Sequence, residues 1–183
     1  MLKILDDVCK PTKGSKYSAA IDLYSAEDII IGAGETVKVP LGVCIDFDKL
    51  EDLAMCETNI YFNYTKQEIE DIKYQFLESH YLQLEPRSSL RAKGLTAGTG
   101  IIDLDYKDEI MIILHNPFNL VGFIVDIDEG IHLPNKFPCY EIKKGDKIAQ
   151  ILLKEHKTYL MGIDTDDVRN GGFGSTDKWI RSI

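Results

Sequence analysis

Residues 29–45 read IIIGAGETVKVPLGVCI, and this stretch decides the fold class. The triplet Ile29 to Ile31 is followed by turn residues around Gly32 and Gly34, and then by Val37, Val39 and Val43 with further turn residues between them. Short β-branched runs bounded by glycine make strands and tight turns rather than helices. Three more stretches follow suit. EIMIILHN (109–116) is a continuous apolar run of a length suited to a buried strand, and FIVDI (123–127) and KIAQILL (147–153) resemble it. Many short strands divided by Gly, Pro, Asn and Asp predict an all-β sandwich or barrel.

One segment departs from this pattern. TKQEIEDIKYQFLESHY (65–81) places Ile69, Ile72 and Phe76 at spacings of three and four with charges between them. That periodicity predicts an amphipathic helix packed on the barrel, with a partner-binding helix as the alternative. The last stretch, RNGGFGSTDKWIRSI (169–183), has neither helical nor strand period and is expected to be a mobile arm. A lone aromatic among glycines, next to Ser and Thr, also suits a flap that offers backbone N–H groups to phosphate and a ring for stacking.

Composition limits the function classes. A chain of 183 residues with 44% hydrophobic content supports one domain with a substantial core. The formal net charge of −9 argues against a sequence-blind grip on nucleic acid, which needs a basic footprint. A small polyanion remains compatible, because a local site can oppose the overall sign. The four cysteines (Cys9, Cys44, Cys56, Cys139) form no CxxC pair and read as buried free thiols in a reducing compartment. The four histidines show no metal-binding spacing. With acids in its first ten residues and no long apolar run, the chain is expected to be cytoplasmic, or nuclear in a eukaryotic or viral setting, with no membrane association.

GTGIIDLDYKDEI (98–110) raises a chemical question, because it sets Asp103, Asp105, Asp108 and Glu109 in and around a strand-like run. An ionised carboxylate is costly to bury unless it is paired. Asp103 therefore reads either as a turn residue or as an acid facing a wet cleft. Four other stretches accompany it: AAIDLYSA (19–26), PRSSLRAKG (86–94), GDKIAQILL (145–153) and RNGGFGSTD (169–177). In this order the five closely resemble the motifs of the trimeric dUTP pyrophosphatases (dUTPases), over the whole chain. The resemblance implies a distorted jelly-roll β-barrel, here with one inserted amphipathic helix. It also implies a homotrimer with shared sites and a Mg2+-dependent hydrolysis of dUTP to dUMP and pyrophosphate.

By the same resemblance, Asp103 is the general base that activates water. Gly98, Gly100 and Met111 belong to a hairpin whose main chain reads uracil, and Tyr106 packs on the sugar. Arg87, Ser88 and Ser89 face the phosphates, with Ser88 near the scissile link, and Gln150 joins them. An intersubunit salt bridge is the alternative for Arg87. Asp22 corresponds to the acid that holds waters around Mg2+, or else to a structural carboxylate. In the arm, Phe173 stacks on the base, with Gly174, Ser175 and Thr176 on the phosphates and Arg169 reaching towards the γ-phosphate. Ala20 and Asp108 stand where the family usually has glycine, and one residue rather than two separates Arg169 from Gly171. Asp146 and Lys147 read as turn residues.

The barrel is expected over 1–163 and the arm over 164–183, with insertions at about 48–82 and 117–139. These insertions read as surface decoration or as the seat of a regulatory partner protein. A dUTPase-fold regulatory protein that binds dUTP and such a partner is thus the competing function. The related dCTP deaminases need a Glu and a second Arg where this chain has Ile113 and Ala92, which argues against deamination.

Overall fold

The computed structural model describes residues 1–57, 64–118 and 139–163. The FIVDI segment, and Arg169, Phe173, Gly174, Ser175 and Thr176, lie outside the described residues. The strands are β1 (Leu2–Ile4), β2 (Thr12–Lys13), β3 (Ile21–Tyr24), β4 (Ile29–Ile31), β5 (Thr36–Pro40) and β6 (Val43–Ile45), then β7 (His80–Pro86), β8 (Gly100–Asp103), β9 (Met111–His115), β10 (Tyr140–Ile142) and β11 (Lys147–Glu155). Among the described residues three α-helices interrupt them: α1 (Leu50–Glu57), α2 (Lys66–Ser79) and the short α3 (Ser88–Ala92).

All described pairings are antiparallel. One five-stranded sheet runs in the order β2-β3-β11-β7-β8, and two-stranded ladders join β1 to β6, β4 to β10 and β5 to β9. This is the all-β architecture expected from the short strand-like runs, with the jelly-roll-like form that the resemblance implies, and the three runs of residues 29–45 become β4, β5 and β6. The strand residues alternate as a half-buried sheet requires. On β7, His80, Leu82, Leu84 and Pro86 are buried while Tyr81, Gln83 and Glu85 point to the other face. The inner faces of both layers supply the core, with Leu23, Ile31, Val39, Val43 and Leu114 fully buried. On β9, expected to be buried throughout, Ile112 and Leu114 point inward but Ile113 is 42% exposed.

Helix α2 forms where its periodicity predicts. Phe76 is buried, and Ile69, Ile72 and Leu77 line the same face half-buried. Its start is fixed by a capping box: the Glu68 N–H donates to Thr65 Oγ1 (3.3 Å) and the Thr65 N–H donates to Glu68 Oε2 (2.8 Å). These contacts satisfy two otherwise orphaned N–H groups. Thr65→Ala is accordingly expected to cost about 1 kcal/mol, read as a lower midpoint in urea unfolding. The helix ends at His80, whose extended backbone opens β7 and whose ring stacks on Phe76 with centroids 4.4 Å apart. A helix not foreseen from the sequence, α1, packs against α2. The segment expected as an insertion therefore holds two helices and the opening of a central strand.

The turn between β5 and β6 depends on Gly42, which has φ +63°. Its N–H donates to Glu109 Oε1 (2.8 Å) and its carbonyl accepts from the Leu5 N–H (2.8 Å). Cys9 lies directly against it, buried, with its thiol donating to the Ser25 carbonyl (3.4 Å). Among the described residues Cys9, Cys44 and Cys139 are free thiols, and Cys139 is exposed rather than buried as expected. No helix among the described residues is long and apolar enough to cross a membrane.

Candidate active site

Residues directly opposite one another in an antiparallel ladder share a face of the sheet. Thr12 stands opposite Asp22, Asp22 opposite Gln150, and Gln150 opposite Glu85. The outer face of the five-stranded sheet therefore carries a row of polar side chains across β2, β3, β11 and β7. Arg87 follows β7 on the same side, and its guanidinium donates to Asp22 Oδ1. Asp22 is 8% exposed and so has the partner that a buried carboxylate requires. Arg87 thus pairs with Asp22 of its own chain.

Lys147 completes the group. Its ammonium donates to Asp22 Oδ2 (3.2 Å) and lies 5.6 Å from the centre of the Tyr24 ring. Hydrogen bonding to the Asp22 carboxylate holds Lys147 above the ordinary lysine range. The sequence pattern makes Lys147 a turn residue, and the structure corrects this to the first residue of β11. The cause is a register shift between Lys147 and Ala149, where Lys147 pairs with Tyr24 and Ala149 with Leu23. Such a bulge re-aims one side chain. It buries Ile148 and brings Lys147 onto the face of Asp22. Asp146 keeps its turn role, with Oδ2 accepting from the Lys143 N–H (2.9 Å).

Beyond Arg87, Ser88 and Ser89 open α3 as exposed residues, and Leu90 anchors the helix in the core. Gln150 is half-buried in the middle of the row. Arg87, Ser88, Ser89, Gln150 and Asp22 are thus brought together, as the resemblance implies.

The other half lies elsewhere. Asp103 ends β8, exposed, and stands opposite Tyr81 at the start of β7. Arg87 lies six residues further along that line, so about 20 Å separates the two at strand rise. Tyr106 closes the turn after β8, its N–H donating to the Asp103 carbonyl (3.1 Å). Tyr106 is 7% exposed within the core cluster, and its hydroxyl donates to the Glu109 carbonyl (3.4 Å). Gly98 is open, since a Cβ there would meet nothing within 4 Å. Gly100 fits against Leu84, with a Cβ reaching 3.4 Å from the Leu84 Cβ. The expected hairpin is not formed as such: β8 pairs with β7, whereas β9, beginning at Met111, pairs with β5. The segment between them crosses from one layer to the other because Leu104, Tyr106 and Ile110 are drawn into the core.

A resident Mg2+ bound by a protein cage does not suit these side chains. No group of three or more His, Cys, Asp or Glu able to hold a metal occurs among the described residues. Both oxygens of Asp22 already accept from cations. Each still has a second lone pair, which suits water held around an ion carried by a ligand's phosphates.

Comparison with known proteins gives a consistent answer. A family model described as dUTPase matches residues 52–133. The chain is 30% identical to the deoxyuridine 5'-triphosphate nucleotidohydrolase of Candida albicans over 183 residues, covering 92% of this chain and 80% of that protein. Its counterpart in Candida glabrata is 29% identical over 174 residues, covering 92% and 88%. Among solved structures, the dUTPase of Staphylococcus bacteriophage 80alpha with dUPNHPP superposes with a TM-score of 0.56 at 21% identity, covering 96% of both chains. The dUTPase from phage phi11 of S. aureus gives 0.55 at 20% identity, covering 96% and 97%. A mutant of the phi11 protein, at 0.55 and 20% over 95% and 97%, is described as revealing the coordination of a structural Mg(II) ion. By sequence and by fold, this chain belongs to the dUTPase family.

Proposed function

We propose that the protein hydrolyses dUTP to dUMP and pyrophosphate. The observation that carries this is the Asp22–Arg87–Lys147 group beside Gln150 on one sheet face. It concentrates two fixed cations and a row of hydrogen-bonding side chains on an otherwise acidic protein, an arrangement suited to a short polyphosphate. Arg87 offers a planar fork to phosphate oxygens, and the exposed hydroxyls of Ser88 and Ser89 reach the bridging position. Asp103 accepts a proton from the attacking water as its oxygen closes on the α-phosphorus. The bond from that phosphorus to the bridging oxygen breaks, and pyrophosphate leaves with the electron pair. When bound, Mg2+ supplies charge neutralisation along the triphosphate, with Asp22 holding its waters. The main chain around Gly98, Gly100 and Met111 reads the uracil and Tyr106 borders the sugar. By the same resemblance Phe173 and Gly174 serve the base, and Arg169, Ser175 and Thr176 the phosphates.

The separation of Asp103 from Arg87 within one chain supports a shared site. In the homotrimer that we propose, the acid of one copy serves the phosphate end of another. Exposed apolar side chains, Ile101 at 72% and Leu160 at 70%, suit a surface covered on assembly. A regulatory partner protein at the insertions is not part of this proposal.

The test is pyrophosphate release from dUTP, dCTP, dTTP and UTP with Mg2+. Release confined to dUTP is expected. Comparable release from UTP or dCTP would rule out the specificity, and release from none would rule out the activity.

A further inference from the structure

Glu85 gathers three side chains onto one carboxylate. Its Oε1 accepts from Gln83 Nε2 (2.7 Å) and from Thr99 Oγ1 (2.9 Å), and its Oε2 accepts from Arg91 Nη2 (3.1 Å). The hydrogen bond from Gln83, supported by that from Thr99 and by the charge of Arg91, holds its pKa below the ordinary glutamate range against the opposing effect of partial burial. The resemblance attaches no site role to any of these four residues, although Arg91 and Thr99 lie within PRSSLRAKG and GTGIIDLDYKDEI.

Their places in the chain give the group its meaning. Glu85 stands opposite Gln150 and two residues before Arg87. Arg91 sits in α3, directly after Ser88, Ser89 and Leu90. Thr99 lies between Gly98 and Gly100, four residues before Asp103. One carboxylate therefore ties the helix of the phosphate end to the segment that leads into the base-reading end. Isolated exposed ion pairs contribute little. This one has a half-buried acid, 19% exposed at its side chain, and the same carboxylate joins three elements, β7, α3 and the segment before β8.

We propose that Glu85 is a positioning residue that fixes α3 and the Gly98–Gly100 segment relative to each other. The proposal rests on the dUTP-hydrolysing function proposed above. Because Arg87 and Asp103 of one chain are too far apart to meet one triphosphate, the two ends that Glu85 joins belong to neighbouring sites. Glu85 thereby makes the geometry of one site depend on that of the next.

The experiment measures kcat and KM for dUTP, with thermal midpoints, on the full-length protein and on Glu85→Gln, Arg91→Met, Thr99→Val and the double variant Arg91→Met/Thr99→Val. Assays are run well below every midpoint. Glu85→Gln is expected to lower kcat/KM about tenfold. Each single partner change is expected to lower it less, and the double variant to match Glu85→Gln instead of multiplying the single losses. Lowered midpoints with kcat and KM unchanged, or strictly multiplicative losses, would overturn the proposal alone. If Glu85→Gln does not fold, the Arg91 and Thr99 cycle decides, both residues being exposed. Absence of dUTP hydrolysis by the wild type would overturn the proposal and the function beneath it together.

Discussion

Asp103→Asn will lower kcat for dUTP by about a thousandfold while leaving KM and the thermal midpoint close to wild type. Asparagine matches aspartate in shape but does not take up the proton of an attacking water. The turn after β8 is closed by the Tyr106 N–H on the Asp103 carbonyl, a main-chain bond that the substitution keeps. The side chain is exposed, so no core packing changes. An effect on kcat alone is thus the signature of a base acting at the reacting water. Residual activity within tenfold of wild type would assign the base elsewhere. A large fall in midpoint would show the carboxylate to be structural instead.

Gly42→Ala, a change of one methyl group, will destabilise the fold by roughly 3 kcal/mol. The backbone of Gly42, at φ +63°, is left-handed, which costs a residue with a Cβ about 1–2 kcal/mol. The added methyl would also stand 2.6 Å from the Cys9 Cβ and 2.8 Å from its sulfur, with the Asp6 Cβ at 3.2 Å. Cys9 is fully buried and has no room to withdraw, so overpacking adds a further cost of about 1–3 kcal/mol. For a chain of this size the midpoint should fall by about 6–12 °C. Gly34→Ala separates the two causes: φ is +73° there too, but the nearest atom to a Cβ is the Phe118 carbonyl oxygen at 3.9 Å. It should show the conformational cost alone. Equal losses at the two glycines would refute the steric part of the account.

What the sequence made legible follows from local pattern. Residues 29–45 announce three strands because β-branched runs and glycines alternate within a few positions, and α2 is announced by Ile69, Ile72 and Phe76. The strand β7 was hidden for the same local reason. Its first residue, His80, continues the helical spacing from Phe76, and only the buried alternation of Leu82, Leu84 and Pro86 marks a strand. Lys147 was hidden by the bulge. Strict alternation from Gln150 puts it on the inner face, and no residue in GDKIAQ signals the extra position that turns it outward. The Glu85 group was hidden because Gln83, Glu85, Arg91 and Thr99 are ordinary polar residues until the β7–β8 register brings them together. Within the candidate site, residue types and motif order singled out Asp22, Arg87, Gln150 and Asp103, whereas their division between two ends of the sheet depends on strand pairing at long range.

The middle of the five-stranded sheet is β11, which lies between β3 and β7 yet is formed by residues 147–155. A ribosome makes the chain from the other end. Until those residues emerge, β3 and β7 each lack a neighbour on the side that the finished sheet covers, and the row of Asp22, Gln150 and Glu85 has a gap at its centre. Closing contacts so distant in sequence is slow, and unpaired strand edges invite association with other chains meanwhile. This polar face is therefore completed only after residue 155 has been made, and an elongating chain is exposed to misassociation while β7 waits for β11.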